Sequence, residues 1–322
     1  MAVHRAFTCA VALSGAIAAA TAQSGDRSAT ADRVRMLTRD SAWTRVAAVP
    51  VGFKTHHPQG MVKIGDTFFV SSVEITERTR QFAQPQDGYD RTAGRGVGHL
   101  FKIDGSGNLV ADATLGEGAI YHPGGIDYDG RSLWVPVAEY RPDSRSIVYR
   151  VDPRTMQAAE VFRFDDHLGG VAYNTDDNTL HAVSWGSRRF YRWTVDGSGK
   201  VANGRTPARA LRTRNPSHYV DYQDCKYAGG RRMLCTGVTE IRVSPGAAPF
   251  RLGGMDLIDL QDGRPIHQVP VLLWTAGGRS MTQNPVWLET TATGVRGYFM
   301  PEDDESTIYV YDVEVDLGAS RR

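Results

Sequence analysis

Four histidines stand at the same point of a recurring phrase: His57-Pro58-Gln59-Gly60, His122-Pro123-Gly124-Gly125, His167-Leu168-Gly169-Gly170 and His218-Tyr219-Val220-Asp221. A fifth copy, Asn284-Pro285-Val286-Trp287, carries asparagine in place of the imidazole. Neutral imidazole nitrogens bind zinc, iron, copper or nickel, and they also act as acids and bases near neutral pH. A second set follows each phrase at a similar interval: Val73-Glu74, Ala138-Glu139, Thr239-Glu240 and Pro301-Glu302, with Trp185-Gly186 in the third copy. A glutamate near a histidine can accept the ring N–H that does not face the ligand, which fixes the tautomer. Arranged radially, the copies bring imidazoles and carboxylates to one rim.

Two chemistries suit that rim. In the first, His57, His122, His167 and His218 hold one divalent metal, with Glu74, Glu302 and Asn284 as supporting or substrate-binding groups. Zinc and iron suit four nitrogens; calcium requires the glutamates and water as its donors. Such an ion lowers the pKa of a water molecule and so supplies a nucleophile. In the second, no metal is needed, and His122, His167, Glu139 and Glu240 act as acids and bases on a small molecule. The competing reading is structural. Proline stiffens the loop, glycine lets strands crowd together, and histidine bonds a neighbouring backbone. The carboxylates weigh against it, because buried charge is costly unless paired.

The elements that position these residues follow from the repeat. Each copy parses into four short strands separated by turn residues, which suggests an all-β fold. In the second copy these are Gly125 to Tyr128, Ser132 to Ala138, Ser146 to Val151 and Ala158 to Phe164. In the third, the last strand is expected over Ala208 to Arg212. The third strands end on aspartates (Asp104, Asp152, Asp196, Asp259 and Asp312), a spacing that predicts Asx turns. The fifth copy stops after Thr307 to Val315, and Trp43 to Val51 resembles the missing fourth strand. The expected fold is therefore a five-bladed β-propeller of four-stranded blades, closed by an N-terminal strand that completes the last blade. Two insertions, Thr76 to Gly98 and Arg242 to Gly253, fall on the histidine face, where Tyr89, Arg91 and Phe250 could reach the channel.

Composition narrows the class. The chain has 322 residues, 41% hydrophobic and 23% charged, with a formal net charge of +1. There is no basic stripe to follow phosphates, which excludes nucleic acid as a partner. Residues 1–22 read as a signal peptide: a short positive end, an apolar run from Ala6 to Ala20, and a small-residue cleavage site. The rest divides into an N-terminal tail over 23–42, with a short helix near Ala31 to Arg39, and one propeller domain over 43–322. The expectation is a secreted or periplasmic monomer without a membrane span in the mature chain. Cys225 and Cys235 flank a turn-like Ala228-Gly229-Gly230 on adjacent strands. In an oxidising compartment they can form a cross-strand disulfide.

The phrase His122-Pro123-Gly124-Gly125-Ile126-Asp127-Tyr128-Asp129-Gly130, followed by Leu133-Trp134-Val135-Pro136, resembles a family of exported propellers of unknown function, DUF6454. The resemblance covers the chain from about Trp43 onward and implies the propeller fold, but no activity. More loosely, the His-Pro-x-Gly phrases look like those of lactonase-like and streptogramin-lyase-like propellers. Four channel histidines with supporting glutamates are similar to carotenoid-cleaving iron oxygenases, which have more blades. The functional expectation is a metal-assisted hydrolase or lyase acting on a small molecule or saccharide. A non-catalytic module binding a ligand or protein is the alternative, and a non-haem iron oxygenase a further one.

Overall fold

The computed structural model of the chain describes residues 26–317. It is a five-bladed propeller whose ring is shut as the sequence anticipates. Strand β1 (Trp43–Pro50) pairs with β23 (Thr307–Glu314), aligning Trp43 with Val313, and completes blade V with β21 (Val286–Thr290) and β22 (Gly294–Phe299). Blade I contains β2 (His57–Ile64), β3 (Thr67–Glu77), β6 (Arg95–Ile103) and β7 (Leu109–Leu115). Its insertion adds a hairpin, β4 (Gln81–Gln86) and β5 (Tyr89–Arg91). Blade II has a broken inner strand, β8 (Ile120–Pro123) and β9 (Asp127–Tyr128), before β10 (Leu133–Glu139), β11 (Ser146–Val151) and β12 (Ala158–Phe164). Blade III is β13 (Leu168–Asn174), β14 (Thr179–Ser184), β15 (Arg189–Thr194) and β16 (Thr213–Arg214). Blade IV is β17 (Asp221–Tyr227), β18 (Arg232–Ile241), β19 (Phe250–Asp259) and β20 (Pro265–Val271).

Blade III departs from expectation at its outer edge. Ala208–Leu211 forms one helical turn, and only Thr213–Arg214 pairs with β15. Pro207 stands immediately before this turn, where its missing N–H costs nothing, and Ala-Arg-Ala-Leu is a run of strong helix formers. The recurring aspartates behave largely as expected. Asp104, Asp152, Asp196 and Asp259 each accept a backbone N–H two residues on. Asp312 instead takes a two-pronged bond from Arg296, because β23 is paired past that point. Cys225 and Cys235 face each other across β17 and β18 and form the disulfide.

Glycines let the inner strands meet at the axis. A Cβ on Gly124 would lie 2.4 Å from the Gly169 carbonyl oxygen, and one on Gly60 would lie 2.5 Å from the Ile126 nitrogen. Gly125 and Gly170 approach closely enough to bridge blades II and III directly. The channel is therefore divided in two, with the histidines at the strand starts on one face.

The other face is covered by a helix over 26–34, earlier than the 31–39 expected within the tail. Ala31, Val34 and Leu37 pack into a core with Leu234, Met255, Val271 and Phe299. Arg27 reaches into the axis, where its guanidinium lies 3.1 Å from Asp127 and 3.2 Å from the Tyr227 carbonyl oxygen. No helix among the described residues is long and apolar enough to cross a membrane. Residues 1–22, expected from the sequence to be a signal peptide, lie outside the described residues.

His181 on β14 is buried beside Thr179, whose hydroxyl lies 2.9 Å from Nε2. Burial, reinforced by Arg192, lowers its pKa from 6.5 to about 4. The unfolded chain therefore binds this proton first as pH falls. Its contribution is complete above pH 6.5 and is lost progressively down to about pH 4. Relative to His181→Gln, the wild type should lose about 3 kcal/mol between pH 7 and pH 4. Parallel urea titrations of the two proteins check this, and a pH-independent difference would refute it.

Candidate functional site

Three of the four phrase histidines meet at the channel mouth. His57 starts β2, His122 lies in β8, and His167 immediately precedes β13. The His122 ring centroid is 6.0 Å from that of His167 and 6.5 Å from that of His57. Together with Gln59, Tyr140, Trp185 and Gln223 they line a cup of about 240 Å³. The crowded glycines beneath make it a blind cup, open only to this face.

Each ring is held differently. His57 Nδ1 lies 2.7 Å from Asp303 Oδ1, and Asp303 also receives Arg279 and Asn284. Burial pushes the Asp303 carboxyl up, but His57 and Arg279 outweigh it and keep it below its usual range. His167 Nδ1 lies 2.8 Å from the Glu139 carbonyl oxygen and so carries the proton. Burial drops the His167 pKa to about 4. His122 is only 5% exposed, and neither ring nitrogen has a partner among the described residues. Burial, then its neighbours His167 and His57, push its pKa well below the ordinary 6.5. Burial thus favours neutral imidazoles at His122 and His167, with His122 stacked on Tyr140 at 4.3 Å.

His218 does not join them. In blade II, His122 pairs with Ala138, the residue before Glu139. In blade IV the inner strand bulges at Gln223 as that of blade I does at Gln59, so Asp221, which pairs with Val238 and lines the cup, holds the place of His57. His218 therefore lies three residues further out, where Arg188 contacts its Nδ1 at 2.6 Å. Asn284 keeps the histidine position in blade V, bonds the Pro301 carbonyl oxygen and touches Asp303 rather than the cup.

The glutamates disperse into different surroundings. Glu139 is fully buried, with its carboxylate oxygens bound by Arg141 and Arg145 at 2.6 and 2.7 Å. Arg141 in turn covers the Tyr89 ring at 3.3 Å, and Arg91 lies over Trp185 at 5.2 Å. Glu139 thereby anchors the blade I insertion beside the cup instead of lining it. Glu240 is paired with Arg251 and Arg242 on the surface. Glu302 accepts the Tyr309 hydroxyl at 2.7 Å. Phe250 packs on Trp274, away from the cup.

Glu74 faces a neighbouring groove of about 350 Å³, which shares His57 and Tyr140 with the cup. There it meets His56 and His99, two residues the repeat does not single out. Ligand atoms of these three side chains all lie within 4.8 Å of one another. Only a doubled His56-His57 in the sequence hints at this group; locating His99 requires the register across the insertion. Burial lowers the His56 pKa, against the pull of Glu74.

Fold and site define a β-propeller that gathers three of its histidines at one mouth of a divided channel. The chain belongs to a family of unknown function, DUF6454, whose model matches residues 16–316. No curated protein matches it in sequence. Among solved structures, a luciferin-regenerating enzyme is similar at 10% identity, covering 86% of this chain and 97% of that one, with a TM-score of 0.44. Regucalcin of Agrobacterium tumefaciens, a calcium-binding protein, is 12% identical over 81% of this chain and 92% of its own, with a TM-score of 0.42. Hydrazine synthase of Kuenenia stuttgartiensis is 13% identical over 80% of this chain, with a TM-score of 0.37; the chain spans 66% of that protein. Likeness at this level carries no inference about activity.

Proposed function

We propose that this chain is an exported propeller that holds a divalent transition-metal ion on His57, His122 and His167 and catalyses hydrolysis or elimination on a small molecule in the cup. One observation carries the reading: the wholly unpartnered His122 lies between two rings whose Nδ1 atoms are already engaged. Engagement of Nδ1 by a carboxylate or carbonyl leaves Nε2 as a lone-pair donor, the usual arrangement of a metal-binding histidine. With nitrogen about 2.1 Å from an ion, two rings at a tetrahedral angle have centroids roughly 5 Å apart. The spacings of 6.0 and 6.5 Å are about an ångström wider, and the ligand atoms of the three rings do not all lie within 4.8 Å of one another, so binding requires the rings to move inward.

The remaining wall suits a hydroxylated or cyclic substrate such as a saccharide. Tyr140 and Trp185 supply flat apolar faces, and Gln59 and Gln223 supply amides. Burial raises the Tyr140 pKa, so its hydroxyl stays protonated and can donate a hydrogen bond. The ion, when bound, would supply Lewis-acid polarisation and an acidic water. The chain itself orients His57 through Asp303 and His167 through the Glu139 carbonyl. Export is supported by the Cys225–Cys235 disulfide, a bond that persists in oxidising compartments.

Elemental analysis of protein purified without chelator tests the reading. His122→Ala should lose one equivalent of transition metal relative to the wild type, with an unchanged far-ultraviolet circular dichroism spectrum. Full metal content in that variant would withdraw the metal, leaving the cup as a hydrogen-bonding ligand site.

A further inference from the structure

The groove beside the cup holds a second set of ligands built by strand register. Across β3 and β6, Ser72 pairs with His99, so Glu74, two residues along, is the diagonal neighbour of His99 on the same face. Across β6 and β7, His99 pairs with Thr114, and Asp112 is the next diagonal neighbour. Glu74, His99 and Asp112 therefore form one oblique row across blade I. His56 joins the row from the start of β2. Its φ of +57° is in the left-handed region, uncommon for a residue with a Cβ, and it lets His56 and His57 serve different sites. The turn is held in place by the Asp304 N–H on the His56 carbonyl and by the Thr55 N–H on the Asp304 carbonyl, at 2.6 and 2.8 Å.

Each side chain is oriented for coordination. Asp112 lies 3.0 Å from His99 Nδ1, placing the proton there. His99 Nε2 is buried and has no partner among the described residues, although the side chain is 11% exposed. An unpaired buried acceptor is costly, and an ion would remove that cost. The His56 and His99 rings are stacked at 5.2 Å with 9° between their planes, and Phe101 covers the far face of His99 at 5.0 Å. A carboxylate–histidine pair behind one ligand, with a second imidazole and a carboxylate beside it, matches the construction of protein metal centres.

We propose that His56, Glu74 and His99 bind a second divalent transition-metal ion, separate from the one assigned to the cup. Two imidazoles and one carboxylate are the donor set of open zinc and ferrous centres. Three protein ligands leave at least one coordination position free. It faces a groove lined by Ile75, Arg78 and Tyr140, so the ion is accessible to solutes that enter there. Asp112 is a positioning residue, acting on the ion only through His99.

Titration of the metal-depleted full-length chain with Co²⁺, followed by visible absorption and bound-metal counting, tests the assignment. The wild type should take two equivalents. A His56→Ala/Glu74→Gln variant should take one, and Asp112→Asn should weaken that same step by about tenfold while leaving the other unchanged. His122→Ala should retain the groove ion and lose only the cup ion. If the His56→Ala/Glu74→Gln variant matches the wild type in stoichiometry and spectrum, the groove assignment fails. If the wild type and His122→Ala both bind one ion and the His56→Ala/Glu74→Gln variant none, the cup reading fails and the groove assignment stands. No binding by the wild type overturns both. Thermal melts of each variant show that the propeller is intact, and Glu74→Asp, which keeps the carboxylate, should restore binding in part.

Discussion

Asp127→Ala should destabilise the propeller by about 3–5 kcal/mol, because it leaves a buried guanidinium without its counter-charge. Asp127 is fully buried at the end of the blade II inner strand. One oxygen accepts the backbone N–H groups of Tyr173 and Tyr227, both at 2.9 Å, and the other accepts that of Tyr128 at 2.8 Å. Arg27 completes the shell from the N-terminal helix. A single carboxylate therefore joins three blades and the helix that covers their far face. Arg27→Ala should cost less, since Asp127 keeps its three N–H donors and water can replace the guanidinium. Guanidinium chloride titration of both single variants and the double variant would expose the coupling between them. A loss under 1 kcal/mol in Asp127→Ala would mean that the junction is not what holds these blade ends together.

The second large effect concerns affinity. Asp303→Ala should weaken the cup ion by about 10–100-fold, the usual loss when a carboxylate behind a metal-binding histidine is removed. The residue does not face the ion in this reading; it fixes the ring of His57 through Nδ1 and is itself steadied by Arg279 and Asn284. The groove ion should keep its affinity, because none of its three ligands bonds Asp303. Competition against a chromophoric chelator measures both steps. Unchanged affinity at the cup would remove His57 from the ligand set.

Sequence and structure agree most closely where the repeat speaks. Blade number, strand order and ring closure by Trp43–Pro50 follow from recurrence alone, since a phrase repeated at one spacing requires one structural unit repeated around an axis. The disulfide was legible for a local reason: Cys225 and Cys235 flank a turn on adjacent strands. Side-chain placement was legible only while register held. His57, His122 and His167 keep their place. In blade IV that place belongs to Asp221, which stands two residues before the bulge at Gln223 as His57 stands before Gln59 and His167 before Gly169, so His218 falls outside the register. The glutamates share a position along their strands but not an environment. Glu139 meets two arginines, Glu240 meets solvent and further arginines, and Glu74 meets imidazoles. Arg141, Arg145 and Arg251 lie outside the repeated phrase, so the repeat alone gives no sign of them. His99 was hidden for a different reason: its partner Glu74 is across a strand pair separated by a long insertion.

The clasp between β1 and β23 also sets an order of events. Trp43 and Val313 stand near opposite ends of the described chain, yet they are neighbours in one sheet. Bringing such distant segments together costs about 3 kcal/mol more in loop-closure entropy than zipping a ten-residue hairpin. Each inner hairpin can form as soon as its own strands exist, while the last blade must wait for the final strand. Until then two raw sheet edges face solvent. The vulnerable period in the life of this molecule is thus the interval before its ends meet, when it is most open to strand exchange with another copy and to proteolysis.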